Sequence, residues 1–188
     1  QKETKGLGHA VLCAKSFVGN EPFAVLYGDD VIISETPVTK QLCDAYEKYG
    51  KGAVGVKEVP GKAITKYCSL AVDPIEDNCY NCTDMIEKPS EEEILSNFSI
   101  LGRVVMPPEI FDILEETPLG AGNELQLTDA MKTLAQTKGV VAVDYEGTRY
   151  DMGNKFGILQ ANIEVGLKHP ETQAELKDYI KKIAKDLD

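Results

Sequence analysis

The amino-acid sequence predicts a layered α/β fold built on a mixed, mainly parallel central sheet. Segments in which apolar residues recur with helical spacing alternate with short apolar runs that end at turn residues, and this order is typical of strands connected by helices. The chain has 188 residues, of which 43% are hydrophobic, so it can bury one sizeable core. Because no internal repeat, low-complexity tract or linker interrupts it, we predict a single domain over residues 1–188.

The first half of the chain predicts two helices with a buried strand between them. Apolar residues at helical spacing indicate a helix over residues 7–18, which ends at Gly19. The run PFAVLY, residues 22–27, is short and apolar, and this is typical of a strand buried on both faces. Apolar residues at 42–49 repeat the helical spacing up to Gly50. Strand-like runs follow at 53–59, 67–72 and 81–88.

The second half adds an antiparallel section and the C-terminal helices. Over residues 68–105 the pattern is rich in strands, which indicates an antiparallel excursion from the central sheet. Pro108 stands where a helix can start, since its missing N–H costs nothing there, and Thr128 is predicted to cap the next helix. The run VVAVDY indicates a strand at 140–145. From about residue 154 the pattern is helical up to the lysine-rich C-terminal segment.

Charge and hydropathy restrict the partners and the compartment. The net charge is -11, so the summed field repels nucleic acid and anionic membrane, and we expect neither as a partner. No apolar stretch approaches the roughly 20 residues of a membrane-spanning helix, and no leader is recognisable, so we expect a cytoplasmic protein. The five cysteines favour a reducing compartment over a disulfide framework. Cys79 and Cys82 are interpreted as part of a polar hairpin tip, because neither a second pair nor a histidine lies nearby in the sequence to complete a metal site.

Three aspartates follow apolar runs that predict strands. Asp29 and Asp30 come directly after the first run, and Asp151 follows the run at 140–145 after a short glycine-containing turn. Because open α/β sheets bind ligands beyond the carboxyl ends of their strands, these carboxylates are candidates for one shared site. Carboxylate oxygens suit a Mg²⁺ ion that also bridges to phosphates. The alternative is a turn in which the aspartates only cap backbone N–H groups.

Two further segments carry candidate ligand-binding groups. Glu87 and Lys88 stand side by side where a strand ends at Pro89, so both can face one cleft, where the carboxylate accepts sugar hydroxyls and the ammonium neutralises phosphate. The alternative is an exposed ion pair of little energetic weight. The glycines of GLGH, residues 6–9, open a helix, where backbone N–H groups can meet an anion or a base edge. A simple helix-entry turn explains them equally well.

Six segments together resemble the bacterial-type UTP–glucose-1-phosphate uridylyltransferases, in the same order and over essentially the whole chain. They are QKETKGLGHAV, PFAVLYGDDV, MIEKP, SNFSILGR, GAGNELQLTDA and RYDMGNKFGILQANIE. The resemblance implies a Rossmann-like three-layer α/β/α nucleotidyltransferase fold. It also implies the reaction of UTP with glucose 1-phosphate to give UDP-glucose and pyrophosphate by Mg²⁺-assisted in-line transfer, in a homo-oligomer of two or four copies.

The resemblance assigns roles in the nucleotide and metal sites. Gln1 and Gly6 correspond to the residues that face the uracil. Asp29 corresponds to the metal-binding aspartate after the first ligand strand and is one of the predicted catalytic residues. Asp151 corresponds to the aspartate that completes the magnesium site, and Asp30 is a weaker candidate for the same ion.

The resemblance also assigns the sugar site, with one departure. Glu87 corresponds to the residue that holds the glucose hydroxyls, Lys88 to the second catalytic residue, which contacts the sugar phosphate, and Ile100 to a backbone contact with the sugar. Cys68 stands where the family places a glycine against the glucose. A side chain at this position alters the fit of the sugar, since the glycine permits a close backbone approach.

The family's glycine-rich loop, which cradles the triphosphate, does not occur in these residues. The chain therefore resembles the family without its N-terminal part, and we expect the 188 residues alone not to release pyrophosphate. A second hypothesis is a non-catalytic module that binds nucleotide sugar or pairs with a partner carrying the missing part. The presence of both metal aspartates and of the Glu-Lys pair favours the enzyme.

Overall fold

The structure, a computed structural model, describes residues 1–185. Within this range the strands are β1 (Phe23–Leu26), β2 (Asp30–Ile33), β3 (Gly52–Glu58), β4 (Cys68–Glu76), β5 (Cys79–Glu87), β6 (Phe98–Met106), β7 (Val140–Asp144) and β8 (Thr148–Asp151). The α-helices are α1 (Leu7–Leu12), α2 (Lys15–Val18), α3 (Val38–Tyr49), α4 (Ile110–Glu116), α5 (Leu127–Thr137), α6 (Lys155–Gly166) and α7 (Gln173–Ala184). Short 3₁₀ helices cover Gly61–Lys66, Glu91–Glu93 and Ala121–Asn123. Residues 186–188, the end of the predicted C-terminal helix, lie outside the described residues.

Six strands form one mixed sheet in the order β1, β6, β3, β7, β5, β4. Among these described strands only β3 and β7 pair in parallel, and the other neighbours are antiparallel. The mixed sheet and its antiparallel section are therefore confirmed, but the prediction of mainly parallel strands is wrong. The strands are antiparallel because β4 and β5 form a hairpin and β6 lies between β1 and β3. The sequence does not reveal this, because an apolar run indicates that a strand is buried but not in which direction it runs.

Helices cover both faces of the sheet, which confirms the predicted α/β/α layers. One core cluster joins the sheet to α1, α4 and α5 and includes Val11 and Phe111. A second cluster joins the opposite face to α3 and includes Leu42. Neighbouring residues of β3 belong to different clusters, Val54 to the first and Ala53 to the second. Because side chains alternate across a strand, β3 is buried on both faces, as its continuous apolar run predicts.

β1 differs from the prediction of a strand buried on both faces. It is an edge strand whose neighbour in the sheet is β6. Phe23 and Val25 pack against the first core cluster, whereas Ala24 and Leu26 are exposed. The strand is therefore buried on one face, because its other face is open in the part of the chain that the structure describes.

The predicted helices are present, with local differences. The helix predicted over residues 7–18 is divided into α1 and α2, since the N–H of Ala14 bonds to the carbonyl of Val11, three residues back, and tightens the chain there. α4 begins two residues after Pro108, in agreement with a helix start near this proline. α6 and α7 occupy the C-terminal segment that the pattern predicts to be helical.

Cys79 and Cys82 lie within β5 and not at a polar hairpin tip. Both are buried, and they belong to different core clusters, because residues three apart on a strand face opposite sides. All five cysteines are free thiols. In residues 1–185 no group of three or more His, Cys, Asp or Glu side chains is arranged to hold a metal ion. The same residues include no helix long and apolar enough to cross a bilayer.

β2 and β8 form a separate antiparallel ribbon beside the main sheet. In its register Asp30 lies opposite Asp151. The ribbon approaches β6 at Gly102, where φ is 93° and an added Cβ would lie 2.9 Å from Cδ1 of Ile32. This glycine therefore permits a close contact that brings two of the predicted site residues to the edge of the main sheet.

Replacement of Phe111 by alanine tests the first core cluster. Its side chain is 1% exposed and its ring stacks on Phe23 with centroids 4.9 Å apart, so Phe111→Ala is expected to lower the free energy of unfolding by about 3–5 kcal/mol. The matched control is Phe17→Ala, expected to change it by less than about 0.5 kcal/mol, because Phe17 is 92% exposed. Urea unfolding followed by circular dichroism measures both, and equal effects would contradict this core.

Candidate active site

A cleft of about 500 Å³ lies beyond the ends of several strands. Its walls come from the segment after β1, the start of β4, the end of β5, the middle of β6, the first turn of α5 and β8. Predicted site residues that line it are Asp29, Cys68, Glu87, Ile100 and Asp151. The β4–β5 hairpin accounts for part of this arrangement, since Cys68 and Glu87 are register partners at its open end.

A larger groove of about 1020 Å³ runs between the β2–β8 ribbon and the helices α6 and α7. Its lining includes Val31, Tyr150 and Leu176 and none of the predicted site residues. Val31 and Tyr150 are register partners on the ribbon, on the face opposite to Asp30 and Asp151, because side chains alternate along a strand. We therefore place the candidate active site in the smaller cleft, because the predicted site residues Asp29, Glu87 and Asp151 meet there.

Asp29 and Asp151, which the sequence predicts to share a metal ion, lie close together. A Cβ built on Gly153 would lie 3.0 Å from Oδ2 of Asp29 and 3.0 Å from Oδ1 of Asp151. The distance between these two carboxylate oxygens therefore cannot exceed the sum of the two values. The N–H of Met152 donates to the carbonyl oxygen of Asp29 at 2.7 Å, which connects the two segments directly. The structure thus brings the two aspartates together, and their binding of magnesium stays a prediction.

The two carboxylates fit a magnesium site that is shared with phosphate. Mg²⁺ in such sites takes one or two protein carboxylates and completes its shell with water and phosphate oxygens, so a larger cluster of protein ligands is not required. Asp29 is exposed, and within residues 1–185 its carboxylate has no hydrogen-bond partner. Its oxygens are therefore free to bind a cation, while Asp151 is partly buried.

Neighbouring groups hold the carboxylate of Asp151. Its Oδ1 accepts the N–H of Gly153 at 2.9 Å, and its Oδ2 accepts the hydroxyl of Tyr67 at 3.1 Å. Nη2 of Arg149 lies 3.8 Å from the same Oδ2. Burial raises the pKa of this carboxyl, but the hydrogen bonds from Tyr67 and Gly153 outweigh it, and the pKa lies below its usual range. Asp151 is therefore ionised at neutral pH, as a cation ligand must be.

Asp30, the weaker metal candidate, forms an ion pair instead. It is 6% exposed, and its Oδ1 accepts the Nε–H of Arg149 at 2.5 Å. Burial raises the pKa of Asp30, and the positive charge of Arg149 opposes this shift. Sequence reasoning missed Arg149, because no local motif connects it with Asp30 and only the register of β2 and β8 brings them together.

Thr128 contacts the predicted sugar-binding residue Glu87. Its Oγ1 donates to Oε2 of Glu87 at 2.8 Å, and its side chain is buried. The prediction that Thr128 caps a helix is wrong, since α5 already begins at Leu127 and Thr128 lies in its first turn. The hydroxyl is therefore free to position the carboxylate. The sequence contains no signal for this contact, because the two residues come from different elements.

The Cys68 thiol accepts a hydrogen bond from the backbone of Ile100, the residue to which the resemblance assigns a backbone contact with the sugar. Its Sγ accepts the N–H of Ile100 at 3.3 Å and lies 3.5 Å from Oγ of Ser99. A sugar can therefore contact this N–H only if the thiol moves away from it. Burial raises the pKa of Cys68 to about 11, so the group is a neutral thiol in the ordinary pH range.

Lys88 lies at the border of the cleft and does not line it. Its side chain is exposed, and its backbone N–H donates to the carbonyl of Tyr67 at 2.8 Å. The backbone has a φ of 47°, which is uncommon for a residue with a Cβ. Lys66 is a second exposed lysine, and unlike Lys88 it does line the cleft. Sequence reasoning missed Lys66, which follows no strand and belongs to no motif.

Gln1 and Gly6 lie next to the cleft and contact each other. Nε2 of Gln1 donates to the carbonyl of Gly6 at 3.1 Å and lies 2.9 Å from Nδ1 of His9. Gly6 has a φ of 97°, and an added Cβ would lie 2.6 Å from the carbonyl oxygen of Leu125. A glycine is therefore required for the packing of this segment. The next residue, Leu7, lines the cleft, which places the predicted uracil contacts at its margin.

The fold and the cleft define the class of protein. The chain belongs to the nucleotidyl transferase family, whose model matches residues 1–166. Within this class it is 48% identical over 183 residues to a UTP–glucose-1-phosphate uridylyltransferase of Staphylococcus epidermidis. It is 44% identical over 185 residues to the UTP–glucose-1-phosphate uridylyltransferase YngB of Bacillus subtilis. These similarities confirm the resemblance that the sequence motifs predict.

The share of each chain in these matches is unequal. They cover 97% and 98% of this chain but 64% and 62% of the two relatives, so the chain spans less than two thirds of their length. A crystal structure of UDP-glucose pyrophosphorylase complexed with UDP-glucose has a TM-score of 0.86 and 40% identity, over 89% of this chain and 64% of that one. A UTP-bound UGPase from Acinetobacter baumannii has a TM-score of 0.84 and 35% identity, over 95% and 62%. The nucleotidyltransferase fold is confirmed.

Thiol labelling tests the position of Cys68. Because the thiolate is the reactive form, a buried thiol with a pKa of about 11 is expected to react with iodoacetamide far more slowly than the exposed Cys13 at mildly alkaline pH. Mass spectrometry of peptides from the native chain measures the two rates. In urea both cysteines are expected to be labelled fully, which controls for the reagent. Equal labelling of Cys68 and Cys13 in the native chain would contradict the buried thiol.

Proposed function

We propose that this chain carries the nucleotide-sugar site of an enzyme that transfers a uridylyl group from UTP to glucose 1-phosphate, giving UDP-glucose and pyrophosphate. The observation that supports this most is the meeting of Asp29, Asp151 and Glu87 in one cleft. Relatives named for this reaction at 48% and 44% identity add support. So do the solved neighbours that hold UDP-glucose and UTP.

Asp29 and Asp151 are the residues that would hold Mg²⁺. When bound, the ion neutralises phosphate charge and orients the phosphates for displacement. Hydrogen bonds from Tyr67 and Gly153 orient the carboxylate of Asp151. Preorganised charge of this kind is what phosphoryl-transfer sites rely on, since the reaction needs positioning more than covalent help from the protein.

The part of the cleft around Glu87 suits the sugar phosphate. Oε2 of Glu87 accepts the hydroxyl of Thr128, while Oε1 has no hydrogen-bond partner within the described residues and can accept a sugar hydroxyl. Lys66 and Lys88 supply positive charge where two anionic substrates meet. In the proposed reaction a phosphate oxygen of glucose 1-phosphate attacks the α-phosphorus of UTP, and the bond to the departing pyrophosphate breaks in line.

A non-catalytic module that binds nucleotide sugar is the second candidate. The two candidates differ in one measurable property, since both bind UDP-glucose but only the enzyme releases pyrophosphate. The expected absence of release from the 188 residues alone stays a prediction.

Two further expectations accompany this function and stay predictions. They are a cytoplasmic location and an assembly of two or four copies. Light scattering on the purified chain measures the second.

Replacing either aspartate tests the shared-metal role. In the complete reading frame that encodes this chain, Asp29→Asn and Asp151→Asn are each expected to abolish pyrophosphate release from UTP and glucose 1-phosphate, a loss of at least about a hundredfold. The physical reason is that a neutral amide loses the negative charge that binds the cation. A coupled pyrophosphatase assay with Mg²⁺ measures turnover, and unfolding midpoints check that the variants fold.

The matched control for these variants is Asp73→Asn. Asp73 is an exposed residue of β4 outside the cleft, so turnover should be unchanged. Near-normal turnover in Asp29→Asn or Asp151→Asn would rule out the shared-metal role. The 188-residue chain is assayed in parallel for UDP-glucose binding by calorimetry. Binding without pyrophosphate release is the result expected of these 188 residues, and the complete reading frame separates the two candidates, because only the enzyme releases pyrophosphate.

Removing the charge of Lys88 tests its contact with the sugar phosphate. A charge-assisted hydrogen bond contributes about 1.5–3 kcal/mol, so Lys88→Ala is expected to weaken the affinity for glucose 1-phosphate by about tenfold to a hundredfold. The matched control is Lys62→Ala, because Lys62 is exposed and pairs with Glu91 outside the cleft. Competition binding or the dependence of turnover on glucose 1-phosphate measures the change. An affinity equal to that of the control would refute this contact.

A further inference from the structure

Two carboxylates, those of Asp30 and Asp151, lie beside the guanidinium of Arg149, and the carboxylate of Asp29 lies next to Asp151. Asp30 accepts the Nε–H of Arg149 at 2.5 Å, and Oδ2 of Asp151 lies 3.8 Å from Nη2 of the same side chain. Asp29 lies next to Asp151, on the other side of Gly153. Neither the sequence motifs nor the proposed function gives a role to Arg149.

The register of the β2–β8 ribbon explains this cluster. Asp30 lies opposite Asp151, and Ile32 lies opposite Arg149. Residues two apart on a strand share a face, so Asp151 and Arg149 point to the same side of β8 as Asp30 does on β2. Arg149 therefore reaches Asp30 diagonally across the ribbon, which is a usual geometry for long side chains on paired strands.

Arg149 is held more firmly than a surface arginine. Its side chain is 17% exposed and that of Asp30 is 7% exposed, so this ion pair is largely removed from water. A buried carboxylate without its partner is costly, and Asp30 thus keeps the guanidinium in one place. The guanidinium carbon also lies 5.6 Å from the ring centre of Tyr67, within the range of a cation–π contact.

Tyr67 connects the guanidinium with the carboxylate of Asp151. Its ring faces Arg149, and its hydroxyl donates to Oδ2 of Asp151 at 3.1 Å. The side chain of Asp151 is consequently restrained through Tyr67 and Arg149 on one oxygen and through the N–H of Gly153 on the other. Both restraints exist without a cation.

We propose that Arg149 is a positioning residue, which uses its ion pair with Asp30 and its stacking on Tyr67 to hold Asp151 in the orientation that binds a divalent cation together with Asp29. This inference rests on the proposed function, since it concerns the same metal site. It also accounts for the charge of the cluster. The three carboxylates and the one guanidinium have a net charge equivalent to two negative charges, which balances the two positive charges of a divalent cation.

A purely electrostatic role for Arg149 makes the opposite prediction for cation affinity. If Arg149 only offset negative charge, its removal would leave Asp30 unpaired and strengthen the attraction for a cation. If it positions Asp151, its removal weakens binding even though the site becomes more negative. Groups that orient metal ligands typically contribute tenfold to a hundredfold to metal affinity.

Binding of Mn²⁺ to the 188-residue chain, measured by electron paramagnetic resonance, distinguishes the two roles. Mn²⁺ shares the preference of Mg²⁺ for carboxylate and water ligands. We expect Arg149→Met and Arg149→Lys to weaken Mn²⁺ binding by about tenfold or more. The double variant Arg149→Met with Asp30→Asn restores the net charge of the cluster and should bind as weakly as Arg149→Met alone. Wild-type or tighter affinity in Arg149→Met, or recovery in the double variant, would overturn the proposal.

Tyrosine variants provide a milder test in case the arginine variants fail to fold. Tyr67→Phe removes one hydroxyl and is expected to weaken Mn²⁺ binding several-fold, while the matched control Tyr179→Phe, at an exposed site, should not. Unchanged affinity in Tyr67→Phe would count against the proposal. Near-ultraviolet circular dichroism checks the fold of each variant.

Aspartate variants separate this proposal from the proposed function. If Asp29→Asn and Asp151→Asn abolish Mn²⁺ binding but Arg149 and Tyr67 variants do not weaken it, the positioning role fails and the metal site stands. If the wild-type chain binds no Mn²⁺, or if the aspartate variants bind it normally, the metal site of the proposed function fails and the positioning role fails with it.

Discussion

The antiparallel pairing of β2 with β8 is the contact on which the candidate site depends. It places Asp30, Arg149 and Asp151 on one face of a two-stranded ribbon, although they come from opposite ends of the chain. Since side chains alternate along a strand, a slip of one residue would turn over the side chains of one strand, so that either Asp30 or the pair Arg149 and Asp151 would face the apolar groove. The close approach of the ribbon to Gly102 helps to exclude such a slip.

The surroundings of each aspartate, and not its residue type, determine what it can do. Asp29 is exposed and free of hydrogen-bond partners in the described part of the chain, so it can bind a cation. Asp151 accepts hydrogen bonds that lower its pKa and orient it. Burial raises the pKa of Asp30, which is tied to Arg149. Three identical side chains within a short distance thus have three different environments, because burial and hydrogen bonding differ.

The sequence predicts those site residues that stand at or near the ends of apolar, strand-like runs. Asp29 follows one apolar run after Gly28, Asp151 follows another after a short turn, and Glu87 comes at the end of a strand-like run. Strand ends are where such sheets bind ligands. Strand direction was beyond this reasoning, because an apolar run has the same pattern in either direction. Arg149 and Thr128 were also missed, since their partners lie in other elements and no spacing in the chain connects them. Supporting residues of this kind are visible only once the register of the strands is known.

The residues that line the cleft come from different parts of the fold. The β2–β8 ribbon contributes Asp30, Arg149 and Asp151, whereas the β4–β5 hairpin and α5 contribute Cys68, Glu87 and Thr128. Charge balance limits which substitutions the ribbon residues tolerate, because removing one member of the buried Asp30–Arg149 ion pair is costly. Around Cys68 the shape of the cleft is the main constraint, since the thiol contacts the backbone N–H of Ile100 and the hydroxyl of Ser99 and contacts no aspartate. A change of side chain at Cys68 would therefore alter the shape of the cleft around Ile100 and Ser99, while the ion pair of Asp30 with Arg149 is retained.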